Sequence, residues 1–295
     1  MIHYTNCPVC RSSEIQESLS AIDHTVSHQS FSIWHCNACT ARFTQNVPGE
    51  QEIGAFYASA DYISHSDTKK GFINNLYHRV RKMTLASKKK LIVSQTKIQK
   101  GNLLDVGCGT GAFLNTMQES GWQVTGLEPD PTAREKATEL YKLNPLSTDQ
   151  LFQLPTGSFN AITMWHVLEH VHELHAYVEQ LGKLLAPGGR LFIAVPNYTS
   201  HDASVYKEFW AAYDVPRHLY HFSPKSMEQL LGAYGLKLIV SKPMWFDSFY
   251  VSLLSEKCRN GKGNNIRAAW NGFVSNLKVM GDVRKCSSVI YVVGK

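Results

Sequence analysis

Two carboxylates and a run of glycines are the first residues whose types and spacing could do chemistry. Asp105 stands just before Gly107-Cys108-Gly109-Thr110-Gly111, and Glu128 lies inside Gly126-Leu127-Glu128-Pro129-Asp130. Glycines at this spacing let a chain turn sharply from strand to helix and let a ligand lie against bare backbone. The dinucleotide fingerprint is G-x-G-x-x-G, with a pyrophosphate on the helix N-terminus. Here the spacing is G-x-G-x-G with an acid in front, and a carboxylate there repels phosphate and attracts a cation. An acid at the end of the next strand is placed to accept hydrogen bonds from ribose hydroxyls. The pattern describes a ligand with a ribose and a positive charge but no phosphate.

Four of the seven cysteines form a second group, Cys7-Pro8-Val9-Cys10 and Cys36-Asn37-Ala38-Cys39. Two C-x2-C knuckles supply four thiolates, which can surround one zinc ion tetrahedrally. Four protein ligands leave no open position, so zinc here is expected to be structural. The alternatives are reduced buried cysteines or a redox dithiol. His3 and His35 lie close by.

Elements must hold these residues in place. Hydrophobic residues make up 43% of the 295-residue chain and charged residues 18%, the balance of an ordinary globular core. No apolar run approaches the about 18 residues that cross a bilayer. The start, MIHYTNCPVC, lacks a signal-peptide pattern. The chain is expected to be cytoplasmic. Its net charge of +6 permits an anionic partner without requiring one.

From Gly101 onward strand-like and helix-like stretches alternate, implying βαβ units and a mostly parallel sheet. Strands are expected at Asn102 to Val106, Gln123 to Leu127, Phe159 to Met164, Arg190 to Val195, Leu236 to Lys242 and Ser288 to Val293. Helices are expected at Gly111 to Ser120, Thr132 to Tyr141, Leu174 to Leu185 and Ser226 to Tyr234. Pro187-Gly188-Gly189 reads as a helix stop and Gly235 as a C-cap. Phe31 to Trp34 reads as a strand feeding the second knuckle. Three regions follow: a zinc-ribbon-like module over 1–48, a helical lid or linker over 49–97, and a ligand-binding domain over 98–295 with insertions at about 197–225 and 246–285.

S-adenosylmethionine (SAM) has the ribose and the charge and lacks the phosphate. Asp105-Val106-Gly107-Cys108-Gly109-Thr110-Gly111, Gly126-Leu127-Glu128-Pro129, Ser158-Phe159-Asn160-Ala161-Ile162, Val167-Leu168-Glu169-His170-Val171 and Leu184-Leu185-Ala186-Pro187-Gly188-Gly189 together resemble the successive motifs of class I SAM-dependent methyltransferases. The resemblance spans roughly residues 100 to 245 and implies an α/β fold with a Rossmann-like seven-stranded sheet. By the same resemblance Asp105, Gly107, Cys108, Gly109 and Gly111 hold the methionine part of SAM. Glu128 holds the ribose with Pro129 beside the adenine, and Trp165 and His166 line the floor near the reacting methyl. Asp149 is either the partner of the adenine amino group or an exposed helix cap. Asn160 departs from the family, which often has Asp there.

The segment Trp210 to Pro224 is rich in aromatic and titratable residues: Trp210, Tyr213, Asp214, Arg217, His218, Tyr220, His221 and Phe222. Methyl transfer needs the acceptor aligned and, where it carries a proton, a base to take it. Histidine suits that task near neutrality. Pro216 to Pro224 is similar to a segment of sugar C-methyltransferases, which also carry two C-x2-C pairs near the N-terminus. A Glu-His pair sits there in those enzymes and the His serves in proton abstraction. His218 matches that His, whereas Arg217 replaces the acid. The catalytic candidates are His218, His221, His166 and Tyr213, with His170 in competition; packing is the other role open to these residues.

Arg79, Arg81, Lys82, Lys88, Lys89 and Lys90 cluster in one helical stretch, with Phe72 and Tyr77 ahead of them. This stretch reads as a lid helix with a solvated face, a contact with RNA phosphate being the alternative, and Phe56, Tyr57 and Tyr62 are expected to face the substrate. Trp245 to Leu254 is more apolar and is expected to pack as an insertion, with covering a lipophilic substrate or touching a membrane surface as the alternatives. The function expected is methyl transfer from SAM to a small molecule such as a sugar, a lipid precursor or a secondary metabolite. The alternatives are a zinc-containing rRNA or tRNA methyltransferase, disfavoured by Glu14, Glu17 and Asp23 in the N-terminal module, and a non-catalytic SAM-binding protein.

Overall fold

A computed structural model describes residues 1–58 and 72–295, with side chains from residue 80 onward in the helix that starts at Phe72. Tyr62 lies outside the described residues, as do the side chains of Phe72, Tyr77 and Arg79. Two sheets are formed. The smaller contains β1 (Ile15–Ile22), β2 (Ser30–Cys36), β3 (Arg42–Thr44) and, from far along the chain, β8 (Tyr220–His221). Its order is β1-β2-β3-β8. The larger has the order β5-β4-β6-β7-β10-β9, with β4 Asn102–Val106, β5 Gln123–Leu127, β6 Phe159–Trp165, β7 Leu185–Pro196, β9 Lys237–Pro243 and β10 Ser288–Gly294. Strand β4 pairs in parallel with both β5 and β6.

The larger sheet thus has six strands among the described residues where the motifs implied seven. The missing edge is reduced to a single parallel bridge, Leu127 to Leu146. Pro145 has no N–H to extend the ladder, and Thr148–Gln153 closes at once into a 3-10 turn. Strand β7 also opens earlier than expected, taking in Pro187-Gly188-Gly189. A Cβ on Gly189 would come within 2.9 Å of two backbone oxygens, so this glycine allows close backbone approach as well as following a helix end.

The α-helices of the described residues are α1 (Phe72–Thr96), α2 (Ala112–Glu119), α3 (Pro131–Tyr141), α4 (Leu174–Leu184), α5 (His201–Tyr206), α6 (Pro224–Gly232), α7 (Asp247–Asn260) and α8 (Asn265–Val279), with short 3-10 turns between elements. Local chemistry starts several of them. The Asp130 carboxylate accepts the Thr132 N–H at 2.9 Å and Pro131 opens α3, while Ser223 and Ser226 form a reciprocal cap at the start of α6. Gly235, at φ +68°, supplies the left-handed residue after α6. The 246–285 insertion is helical, formed by α7 and α8.

The chain divides into two compact units. The first takes in residues 1–58, Leu168–Tyr177 and Ala194–Tyr291; the second takes in residues 72–167, Val178–Ile193 and Val292–Lys295. Within the first, the inward residues of β2, Phe31 and Ile33, pack with Tyr206, Trp210 and Tyr213 in one buried cluster. Within the second, Leu103, Leu104, Val106, Leu114, Met117, Ile162 and Met164 are buried around β4.

Candidate functional site

The second unit holds the glycine loop between β4 and α2. Gly107, Gly109 and Gly111 all have left-handed backbone, at φ +72°, +54° and +82°. The first two do different work. A Cβ on Gly107 would strike a Val167 methyl, so this glycine is required by the chain's own packing. A Cβ on Gly109 would meet nothing within 4 Å, so open space faces that backbone, as a bound ligand requires. Glu128 lies next to it, 8% exposed. One carboxylate oxygen accepts the Gly109 N–H at 2.8 Å and the other accepts the Asp130 N–H at 3.0 Å. Each oxygen keeps one lone-pair direction, enough for two ribose hydroxyls. Burial raises the Glu128 pKa against those two hydrogen bonds.

Asp105 is buried at the end of β4 and accepts a hydrogen bond from the Thr163 hydroxyl. Burial pushes its carboxyl up to about 7, and the positive charge of Lys88 pulls the other way. Lys88, on α1, puts its ammonium 4.2 Å from the centre of the Trp165 ring and 5.8 Å from that of Phe113. These two rings meet edge to face at 5.7 Å. Acid and aromatic faces therefore hold a cation supplied by the chain itself, the environment a sulfonium or ammonium needs. The open Gly109 backbone, the spare acceptors of Glu128 and this cation-binding wall fit SAM.

The remaining candidates of this unit are placed less tightly. His166 has φ +57°, a strained conformation for a non-glycine residue, directly after β6. Cys108 is buried, and burial raises its thiol pKa. The carbonyls of Glu128 and Pro129 accept the Arg134 guanidinium at 2.6 and 2.8 Å, which fixes Pro129. Asp149 is exposed in the first turn of its 3-10 helix, and hydrogen bonds from Ser147 and Gln150 lower its pKa. Lys82 and Lys90 are solvated as expected, whereas Lys88 is not.

In the first unit the four cysteine sulfurs converge, all within 4.8 Å of one another. Cys7 and Cys39 are 3.6 Å apart and Cys10 and Cys36 3.5 Å. The two knuckles are built alike. Arg11 and Thr40, each just after a pair, are left-handed and donate their N–H to the carbonyls of Cys7 and Cys36. Val9 and Ala41 each donate an N–H to a cysteine sulfur at 3.4 Å, which favours thiolate. The hydrogen bond from Cys39 lowers the Cys7 thiol to about 5, while that same bond and burial push Cys39 well up, and burial holds Cys10 up near 11. The set cannot all ionise together without a cation among them. His175 steadies the first knuckle by donating to the Pro8 carbonyl at 3.0 Å.

The histidine segment belongs to the same unit. His218 donates its Nδ1–H to the Ala212 carbonyl at 2.8 Å, which leaves Nε2 unprotonated in the neutral ring, 3.9 Å from an Asp214 oxygen. His170 stands edge to face with it at 4.6 Å and bonds the Arg217 carbonyl and the Tyr57 hydroxyl through Nδ1. Burial lowers His170 to about 4, so it is neutral at physiological pH. His221 lies in β8, its Nε2 3.1 Å from the Thr44 hydroxyl, and stacks edge-on with Tyr213 at 5.0 Å. Tyr213 accepts the Arg42 guanidinium at 2.7 Å. Both are nearly fully buried and engaged with β3.

Two expectations change here. Phe56 packs on Phe31, and Tyr57 on His170, so neither is a free substrate-facing aromatic. Arg217 is a buried tie: it reaches Asp214 at 2.6 Å, Asp23 at 3.0 Å and the Phe56 carbonyl at 2.8 Å. Burial alone would raise Asp23, but hydrogen bonds from Ser27 and Arg217 outweigh it and hold the carboxyl far below its usual range. The sequence shows Asp23 only as one acid of the N-terminal module and Lys88 only as one cation of a basic helix, with no sign of the partners each has here. Asp23-His24-Thr25 carries a turn signal, since Asp23 accepts the Thr25, Val26 and Ser27 N–H groups, but nothing local points to Arg217.

The chain is similar to known proteins over its central part. It is 36% identical over 105 residues to a ubiquinone biosynthesis O-methyltransferase of Xanthomonas oryzae, a match covering 33% of this chain and 44% of that one. It is 27% identical over 172 residues to the protein of the same name from Idiomarina loihiensis, covering 52% of this chain and 69% of that one. The chain thus spans less than half the length of the first relative. Among solved structures it resembles the magnesium protoporphyrin IX methyltransferase of Synechocystis PCC 6803, at TM-score 0.49 and 16% identity over 78% of this chain and 90% of that one. The family model described as a methyltransferase domain matches residues 77–241, more than half of the chain. With the glycine loop, the two acids and the parallel sheet in place, that match assigns the chain to the methyltransferase-domain family, the class I SAM-dependent fold its motifs resemble.

Proposed function

We propose that this chain transfers a methyl group from SAM to a small-molecule acceptor, with a hydroxyl oxygen as the receiving atom. The observation that carries the reading is the pairing of open Gly109 backbone with the half-free Glu128 carboxylate. The names of the matched relatives favour oxygen and an aromatic, lipophilic acceptor. When bound, SAM supplies a methyl carbon made electrophilic by its sulfonium. Glu128 would take the ribose hydroxyls and Asp105 would balance the positive charge. Trp165 would present its ring, and Gly107, Cys108, Gly111, Pro129, Asp149 and His166 would complete the wall. His218, its proton fixed on Nδ1, would accept the acceptor's proton at Nε2. We assign His221 and Tyr213 to holding the β3–β8 pair. Cys7, Cys10, Cys36 and Cys39 would hold one structural zinc ion.

Calorimetry with S-adenosylhomocysteine and turnover on hydroxylated aromatic acceptors test this reading. Glu128→Gln should weaken S-adenosylhomocysteine by about tenfold or more, because a neutral amide accepts more weakly and offers one oxygen in place of two. His218→Gln should leave that affinity intact and lower kcat by about a hundredfold. Absence of S-adenosylhomocysteine affinity in the unmodified protein would end the proposal.

A further inference from the structure

Helix α8 is built inside out. The face it buries holds no large apolar side chain and includes two polar ones: Ala268, Asn271, Gly272, Ser275 and Val279. These positions are anchored. Asn271 donates to the Tyr206 hydroxyl at 2.9 Å, Ser275 donates to Asp202 at 2.8 Å, and Gly272 lets Phe249 of α7 approach so closely that a Cβ would lie 3.0 Å from its Cα. The opposite face carries Ile266, Trp270, Phe273, Leu277 and Met280, spaced four, three, four and three residues apart, which makes one continuous stripe. Ile266 is 85% exposed, Trp270 64% and Met280 79%. The stripe runs about 21 Å at 1.5 Å per residue. Trp245, Phe246 and Tyr250, ahead of and within α7, are exposed as well.

Charge selects the occupant. Residues 247–285 carry seven Lys and Arg against three Asp and Glu, a surplus of four out of the chain's net six. Glu256 is fully buried and paired with Arg267 at 3.2 Å, and Asp282 pairs with Arg284 at 3.1 Å, which leaves Lys257, Arg259, Lys262, Lys278 and Lys285 as exposed cations of the same two-helix segment. A second copy of the chain docking here would bring two such fields together. The stripe of one helix also offers far less than the about 800 Å² per partner of a stable dimer. A large apolar face on a segment rich in Lys and Arg matches an anionic lipid surface, with the rings in the interface and the ammonium groups at the headgroups. No helix of the described residues is long and apolar enough to cross a membrane, so the contact would lie flat.

We infer that α8 is a membrane-interface helix that seats the protein on anionic bilayers through Ile266, Trp270, Phe273, Leu277 and Met280. The inference is independent of the reaction proposed above. The test is co-sedimentation of the full chain with vesicles of phosphatidylglycerol and phosphatidylcholine in equal parts, against pure phosphatidylcholine. Partition should be at least about tenfold stronger on the anionic vesicles and fall with added salt. Trp270→Ser/Phe273→Ser, on exposed positions, should lower it by about tenfold or more with an unchanged circular dichroism spectrum. Lys262→Glu/Lys278→Glu should remove the preference for anionic lipid. Failure of the unmodified chain to bind, or equal binding by the apolar variant, overturns the inference. So does a dimer in light scattering that the apolar variant converts to monomer without any vesicle preference, which would assign the stripe to a second copy.

Discussion

Arg217 and Asp23 meet at 3.0 Å across 194 residues of sequence, and both side chains are almost wholly out of water. Removing Arg217 leaves Asp23 a buried carboxylate without its cation, whereas removing Asp23 leaves Arg217 still paired with Asp214 at 2.6 Å. Arg217→Met is therefore expected to lower the unfolding free energy by about 3–5 kcal/mol. Asp23→Asn, which keeps a hydrogen-bonding group, should lower it by less. Urea denaturation of the two variants and of the double variant measures this, and the double variant should lose less than the two single losses added together.

Gly107 and Gly109 should respond differently to alanine. At Gly109 the left-handed backbone costs about 1 kcal/mol, and the new methyl projects into open space. Stability should fall slightly while S-adenosylhomocysteine affinity falls by about tenfold or more. At Gly107 the methyl collides with Val167, so thermal stability should fall further. Calorimetry and a melting curve on each variant separate the two effects.

Asp105 sets a pH dependence whose sign follows from its burial. Its carboxyl sits near 7 in the free protein against an ordinary 3.8, so the fold retains a proton that the unfolded chain sheds. Stability of the free protein should fall as pH rises through that interval. A cationic ligand favours the ionised form, so binding below about pH 7 should release a proton, and affinity for SAM should rise about tenfold from pH 6 to pH 8. Calorimetry in buffers of different ionisation enthalpy reads the proton directly, and Asp105→Asn should flatten the profile.

The cysteine cluster should carry one zinc ion per chain by elemental analysis. Cys10→Ser or a strong chelator should lower the melting temperature sharply, because the four sulfurs hold together a sheet of short strands. Reconstitution with zinc should restore it after chelation and not after substitution.

Much of this was legible in the sequence because it is local. Glycines beside an acid, a second acid one strand later and two C-x2-C pairs each declare themselves within a few residues. The strand over Phe31 to Trp34 is as plain, and the helix expected from Thr132 begins one residue earlier, at Pro131. What escaped depends on distant partners. His221 and Tyr213 look like catalytic groups in sequence, yet Thr44 and Arg42 engage them from residues 177 and 171 positions away. Lys88 resembles its solvated neighbours until the Trp165 ring is placed beneath it. The period of α8 is plain, but periodicity does not say which face turns inward. Asn271 and Ser275 do so because Tyr206 and Asp202 wait for them.

Strand β8 is two residues long, and it closes the edge of β3 through Arg42 to His221 and Phe43 to Tyr220. A version of the protein trimmed of its first 48 residues would lose β3 and leave β8 unpaired, with bare N–H and C=O groups beside newly uncovered Tyr220 and Phe222 rings, a template for sticking to other chains. The cysteine-bearing segment is therefore not a detachable appendage. Deleting it to obtain a minimal enzyme should yield insoluble material, whereas splitting the chain elsewhere, at an exposed turn such as Gly261 to Gly263, leaves the edge covered.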